Sequence, residues 1–351
     1  MGRPHPVPAP AGASAEALAD LLSLLRAWAT GATPAPLRGG TLPVLALAEA
    51  HELDAPVREA LSRVLPEAAA ALLCAPGLEA ERVRAEALAA QFRDVMERLV
   101  LVGAAPVALK GAAFLADAAG AAAPWRPMID FDVLVEPPAL PRAVQALHEA
   151  GYRAEDAAHV PTDYHYPALM PPAGGAASVE LHVRLDWSRR GPLAEAASRA
   201  QVSALSGVRV LAPEDRLAHL TRHAMVADRG LRRRSLRLRD ALDWHVLTGA
   251  GADPEAARER LLPGEEQAGF DAFAALMGRV WGGAPGAAEA EAWAKEALLS
   301  IADPERAALY AREDGARWLW DQATTRETLA HALQAALNPA RLRRIMRNWS
   351  F

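Results

Sequence analysis

Apolar residues recur at helical spacing through most of the first hundred positions. Leu18, Leu21, Leu22 and Leu25, continued by Trp28, predict a helix over residues 16–30. Residues 41–53 and 57–65 predict two more, the second broken by Pro66. Residues 80–102 form a long amphipathic stretch with Phe92, Val95, Met96, Leu99 and Val100 along one side. This region reads as a helical bundle without chemistry of its own.

After residue 103 the period shortens. Residues 106–109 predict a short strand and 111–119 a helix of small residues. Arg126-Pro127-Met128-Ile129-Asp130-Phe131-Asp132-Val133-Leu134-Val135 then alternates with the two-residue period of a strand. Asp130 and Asp132 are placed side by side on one face, with Ile129, Phe131 and Val133 toward the core. Pro137-Pro138 breaks the strand, and a helix over 140–150 ends at Gly151, a C-terminal cap signal. Residues 164–170 predict a strand and 171–175 a turn. Over 178–185, Val179, Leu181, Val183 and Leu185 alternate with Glu180, His182 and Arg184. From residue 213 the pattern is helical again, strongest over 214–227 and 236–247. Trp281, Trp293, Trp318 and Trp320 are expected in helix packing.

The expected class is α+β: a small mixed-sheet core between N- and C-terminal helical regions. Its divisions are a disordered tail at 1–15, a helical region at 16–103, the core at 104–190 and a helical region at 200–351. Composition narrows the setting. A net charge of −5 gives no bulk signal for nucleic acid. One cysteine, Cys74, excludes an intrachain disulfide framework and fits a reducing cytoplasm. No apolar run reaches the ~18–20 residues that span a bilayer, so no membrane partner is expected. Of 38 basic residues only Lys110 and Lys295 are lysines, which marks Lys110 as a compact charge kept near the core or as a chance survivor.

Adjacent carboxylates on one strand repel each other, and hard cations such as Mg²⁺ prefer oxygen ligands. If the strand bearing Glu180 lies beside that of Asp130 and Asp132, three carboxylates converge. They would hold metal, or Glu180 would deprotonate an incoming hydroxyl. Asp163 and Asp186 compete with Glu180 for that role. Lys110 and Gly111, between a strand and a helix, offer a phosphate seat, and Arg126 a charge to offset phosphate. His182 and His165 are candidates for substrate contact or satisfied structural histidines; a zinc site with Glu180 lacks a Cys or close His-x-x-His spacing to support it. His219 and His223 share a helix face, but no accompanying glutamate supports a zinc site. The run from Arg229 to Arg239 reads first as a solvated helix start, or else as a phosphate contact. The basic segment from Arg341 to Arg347 reads as a packed tail.

Several of these motifs resemble the uncharacterised nucleotidyltransferase family of the polymerase-β-like superfamily. They are Leu109-Lys110-Gly111, the Asp130/Asp132 strand, Gly151-Tyr152 and Val179-Glu180-Leu181-His182. Leu211-Ala212-Pro213-Glu214-Asp215, the helix of His219 and His223, and Leu238-Arg239-Asp240 extend the likeness, which covers roughly residues 40–250. The resemblance implies transfer of an NMP from an NTP to an acceptor, with pyrophosphate released. It implies two Mg²⁺ ions on Asp130, Asp132 and Glu180, with Lys110 and Gly111 as the glycine motif. Ala112 stands where the superfamily has glycine or serine. That departure favours a rival: a nucleotide-binding or scaffold protein without turnover. A toxin- or antitoxin-like transferase acting on RNA or protein is a second rival. The acceptor stays open among small molecules, proteins and RNA, with nucleic acid the least favoured.

Overall fold

The computed structural model describes residues 10, 13–123, 125–155, 165–185, 191–283 and 285–324. The tail at 1–15 expected to be disordered falls mostly outside them, as do Asp163, Asp186, the 341–347 segment and the side chains of Trp318 and Trp320.

Five helices lead in: α1 (Ala15–Thr30), α2 (Thr41–Ala50), α3 (Asp54–Ser62), α4 (Glu67–Leu73) and α5 (Ala75–Leu101). Ser14 caps α1 by accepting from the Ala17 amide at 3.1 Å, and Gly31 ends it at φ +71°. The predicted leucines of α1 are buried against α2 and α3.

The sheet has seven strands among the described residues, in the order β3-β4-β5-β2-β1-β7-β6. They are β1 (Val107–Ala108), β2 (Asp130–Leu134), β3 (Arg153–Ala154), β4 (Leu169–Met170), β5 (Ser178–His182), β6 (Gln201–Val202) and β7 (Arg209–Val210). Helix α6 (Lys110–Asp117) follows β1, and α7 (Leu140–Glu149) follows β2. Strands β2 and β5 run parallel, β1 and β2 antiparallel, so the sheet is mixed as expected. The last two strands extend it beyond residue 190.

One face of the sheet buries Phe131, Val133, Val179 and Leu181 against Phe92, Val95 and Leu99 of α5 and Leu147 of α7. Phe92 and Phe131 meet edge to face at 5.5 Å. Gln91 stitches this face together: its amide donates to the Tyr152 hydroxyl at 2.8 Å and accepts from the Ala176 and Ala177 amides. The other face looks toward the second core, which joins α1–α3 to the C-terminal helices. Those helices are α8 (Pro213–Arg222), a π-helical turn at His223–Ala227, α9 (Gly230–Arg233), α10 (Leu238–Gly249), α11 (Pro254–Glu259), α12 (Glu265–Trp281), α13 (Ala288–Ala302) and α14 (Pro304–Thr324). Trp293 is buried and donates its indole N–H to the Leu231 carbonyl at 2.8 Å; Trp281 stacks on His245 at 4.3 Å.

Four expectations need correction. Ile129 is 82% exposed, because β2 begins one residue later and the alternation does not extend back to it. Strand β5 stops at His182, and Leu185 turns into the helical core instead of the core that holds Val179 and Leu181. Within the described part of 164–170 only Leu169–Met170 is strand, with His165 forming a single bridge to His182. The run from Arg229 to Arg239 is not a solvated helix start. Arg229 and Arg233 both grip the buried Asp314 of α14, and Arg234 lies over the Tyr310 ring at 4.6 Å.

Candidate functional site

The site follows from the register of two strands. In the parallel pairing of β2 with β5, Asp132 lies opposite Glu180, and Leu134 opposite His182. Asp130, Asp132, Glu180 and His182 therefore share one face, as the period of two requires. Three ligand atoms, one each from Asp132, Glu180 and His182, lie within 4.8 Å of one another. Asp130 stands outside that trio at the start of β2.

Asp132 is the centre. Its Oδ1 accepts from the Lys110 ammonium at 2.9 Å and lies 2.9 Å from His182 Nε2. That His182 nitrogen is also 3.7 Å from Glu180 Oε2. Burial alone would push the Asp132 carboxyl up, but Lys110 and His182 outweigh it and hold the group well below the usual carboxylate range. Lys110 shows the mirror effect: burial pulls it down, yet Asp132 holds it above its ordinary value. Asp130 and Glu180 are pushed up, first by burial and then by repulsion from Asp132. Two carboxylates thus carry charge that nearby cations do not fully offset.

Lys110 adopts φ +45°, a left-handed backbone that a lysine takes at a cost, at the point where β1 turns into α6. That turn aims its side chain back across β2. Gly111, the next residue, packs close to two side chains. A Cβ there would come within 3.3 Å of Met128 Cε and 3.6 Å of Arg126 Cζ. Ala112 is buried in the core beneath the sheet.

Arg126 is 5% exposed and committed: its Nε donates to both oxygens of Asp243 on α10, at 2.8 and 3.0 Å, and Nη1 donates to the Pro127 carbonyl. It acts on Asp130 through charge across the site. His165 sits at the sheet edge, its ring 5.8 Å from that of His182. The structure thus brings Lys110, Asp132, Glu180 and His182 together, with Asp130 beside them and Arg126 behind.

The helical regions reach the site as well. His219 of α8 is buried, and burial with the nearby Lys110 holds it well below the ordinary histidine range. His223 Nδ1 lies 3.3 Å from Asp228. On the opposite side, Glu52 between α2 and α3 accepts from Arg239 and, at 3.2 Å, from Arg237. His51 accepts from the Leu238 amide at 3.2 Å, which joins the N-terminal bundle to the start of α10. Sequence reading had assigned that bundle no chemistry, since partners some 187 positions apart leave no local signal.

The donor set suits a divalent cation: buried and half-buried carboxylates crowd one another, and an imidazole nitrogen completes the group. The mixed sheet flanked by helical regions makes this an α+β protein. Residues 42–280 match the model of the uncharacterised nucleotidyltransferase family, over more than half of the chain, and the chain belongs to that family. No curated protein compared with the chain matches it. No helix among the described residues is long and apolar enough to cross a membrane.

Proposed function

We propose that the chain transfers an NMP from an NTP to an acceptor hydroxyl or phosphate, releasing pyrophosphate. The observation that carries this reading is the Asp132–Glu180 register, which gathers three carboxylates from two strands on one sheet face beside a single lysine. Asp130, Asp132 and Glu180 are the residues to hold Mg²⁺, and His182 steadies Asp132 from the far side. Bound Mg²⁺ would polarise the α-phosphate and offset charge on the departing pyrophosphate. Lys110 is placed to swing from Asp132 onto a phosphate oxygen, beside the backbone of Gly111. Arg126, fixed by Asp243, keeps positive potential behind Asp130. Glu180, whose carboxyl is pushed up, suits the role of base toward an acceptor hydroxyl. His165 borders the place where an acceptor would enter.

Titration calorimetry with ATP, GTP, CTP and UTP, with and without Mg²⁺, tests the reading. Wild type is expected to bind at least one nucleotide in a Mg²⁺-dependent manner, and Asp130→Asn/Asp132→Asn to lose that binding. Failure of folded wild type to bind any of the four would remove nucleotidyl transfer from this chain and leave a scaffold of the same fold.

A further inference from the structure

We propose that Arg237 and Arg239 form the seat for the polyphosphate tail of the nucleotide, and that Glu52 fills this seat in the resting protein as an internal anion. The inference rests on the nucleotidyl-transfer reading and names where the rest of the triphosphate binds. The expected seat at Lys110–Gly111 offers a single cationic side chain for that load. Lys110 must leave Asp132, 2.9 Å away, to reach a phosphate, and Ala112 brings no hydroxyl.

The adjacent cations lie one turn along α10. Arg239 and Asp243 are four residues apart on that helix and so share a face. Asp243 holds Arg126, which backs Gly111. Arg239 therefore sits on the same side of α10 as the site, and its charge reaches Asp130. Arg237, two residues earlier, turns toward the same carboxylate. Each arginine takes one oxygen of Glu52: Arg237 Nη1 on Oε1 and Arg239 Nη1 on Oε2. Arg239 Nη2 also donates to Asp240 at 3.3 Å, while its buried Nε has no hydrogen-bond partner. Two planar guanidinium groups converging on one anion are suited to phosphate oxygens.

Glu52 has the features of a removable occupant. Its side chain is 34% exposed, and it sits at φ +58° in the link between α2 and α3, a conformation unfavourable for a non-glycine residue. The family match begins at residue 42, so this link lies within the matched unit.

The test uses full-length protein titrated with inorganic tripolyphosphate without Mg²⁺, and separately with Mg²⁺ and the nucleotide that wild type prefers. Glu52→Gln is expected to bind tripolyphosphate about fivefold more tightly, since an uncharged amide no longer competes. Arg237→Gln/Arg239→Gln is expected to bind it roughly tenfold or more weakly. Arg237→Gln alone, at a half-exposed position, gives a smaller loss and decides the matter if the double variant fails to fold. Unchanged tripolyphosphate affinity in folded Glu52→Gln and Arg237→Gln would overturn the proposal and leave Glu52 as a clamp between helices. Loss of Mg²⁺-dependent nucleotide binding in Asp130→Asn/Asp132→Asn alongside that result would preserve the catalytic reading while removing this one.

Discussion

Two populations of buried carboxylates divide this molecule. Away from the site, several are matched by arginine. Asp314 receives Arg229 and Arg233, Asp215 receives Arg199 with both oxygens, and Asp243 receives Arg126 in the same way. At the site, Asp130, Asp132 and Glu180 crowd around a single lysine, and that lysine serves Asp132. Planar guanidinium groups fix a carboxylate in place, whereas one mobile ammonium leaves charge over. The first arrangement holds helices together. The second crowds charge that a cation can relieve, with burial first and repulsion from Asp132 second pushing the Asp130 and Glu180 carboxyls up.

The widest separation between the two populations should appear on comparing Asp130→Asn with Asp314→Ala. Removing charge at Asp130 is expected to cut pyrophosphate release roughly 10³-fold, on the scale of the several kcal/mol a Lewis-acid metal supplies. The same change should raise unfolding stability by about 1 kcal/mol, because it relieves repulsion in the fold. Asp314→Ala should instead cost ~3–5 kcal/mol, since it removes the fully buried carboxylate that two arginines share. Urea melts of both variants decide this; a destabilised Asp130→Asn would erase the distinction.

Next in size is a pH effect outside both populations. Burial, with Arg237 nearby, lowers His51 to a pKa of about 4 from an unfolded value of 6.5. The unfolded chain therefore binds the extra proton first. The contribution of His51 is complete above pH 6.5 and is lost as pH falls toward 4, by about 3 kcal/mol. Stability measured across this window should fall less steeply in His51→Asn, which keeps an acceptor for the Leu238 amide without a titrating ring.

The smallest expected effect sharpens the comparison from within the site. Lys110→Met removes the internal cation from Asp132, so Mn²⁺ titrated calorimetrically should bind several-fold more tightly, on the order of 1 kcal/mol. Turnover should fall despite the tighter metal. Unchanged Mn²⁺ affinity would mean that Lys110 does not compete for Asp132.

Much of the site was legible because a strand carries its faces in its spelling. The period of two placed Asp130 with Asp132, and Glu180 with His182, before the strands were known to be neighbours. It misplaced Ile129 and Leu185 at strand ends, where periodicity continues in the sequence after the hydrogen bonding has stopped. Strands β3, β6 and β7, each of two residues, were not read from the sequence. Helix α4 was missed after Pro66, which reads as a break although it here begins the next helix. The sequence offers His182 as a substrate contact or a satisfied structural histidine; that it lies 2.9 Å from the Asp132 carboxylate is visible only in the fold. The partners of Arg126, Arg237 and Arg239 lie 117 to 187 positions away, and only the fold could reveal them.

The link between Arg126 and Asp243 also orders events in time. A chain emerging from the ribosome carries Asp130, Asp132 and Glu180 before it carries α10. At ~5–20 residues per second, a few seconds pass before Asp243 is made. Until then the guanidinium of Arg126 lacks the partner that fixes it, and neither Arg237 nor Arg239 exists to meet Glu52. The complete arrangement thus arrives late in synthesis, and a truncated product ending in the sheet would carry Lys110 beside the acidic strand but no Asp243 to fix Arg126.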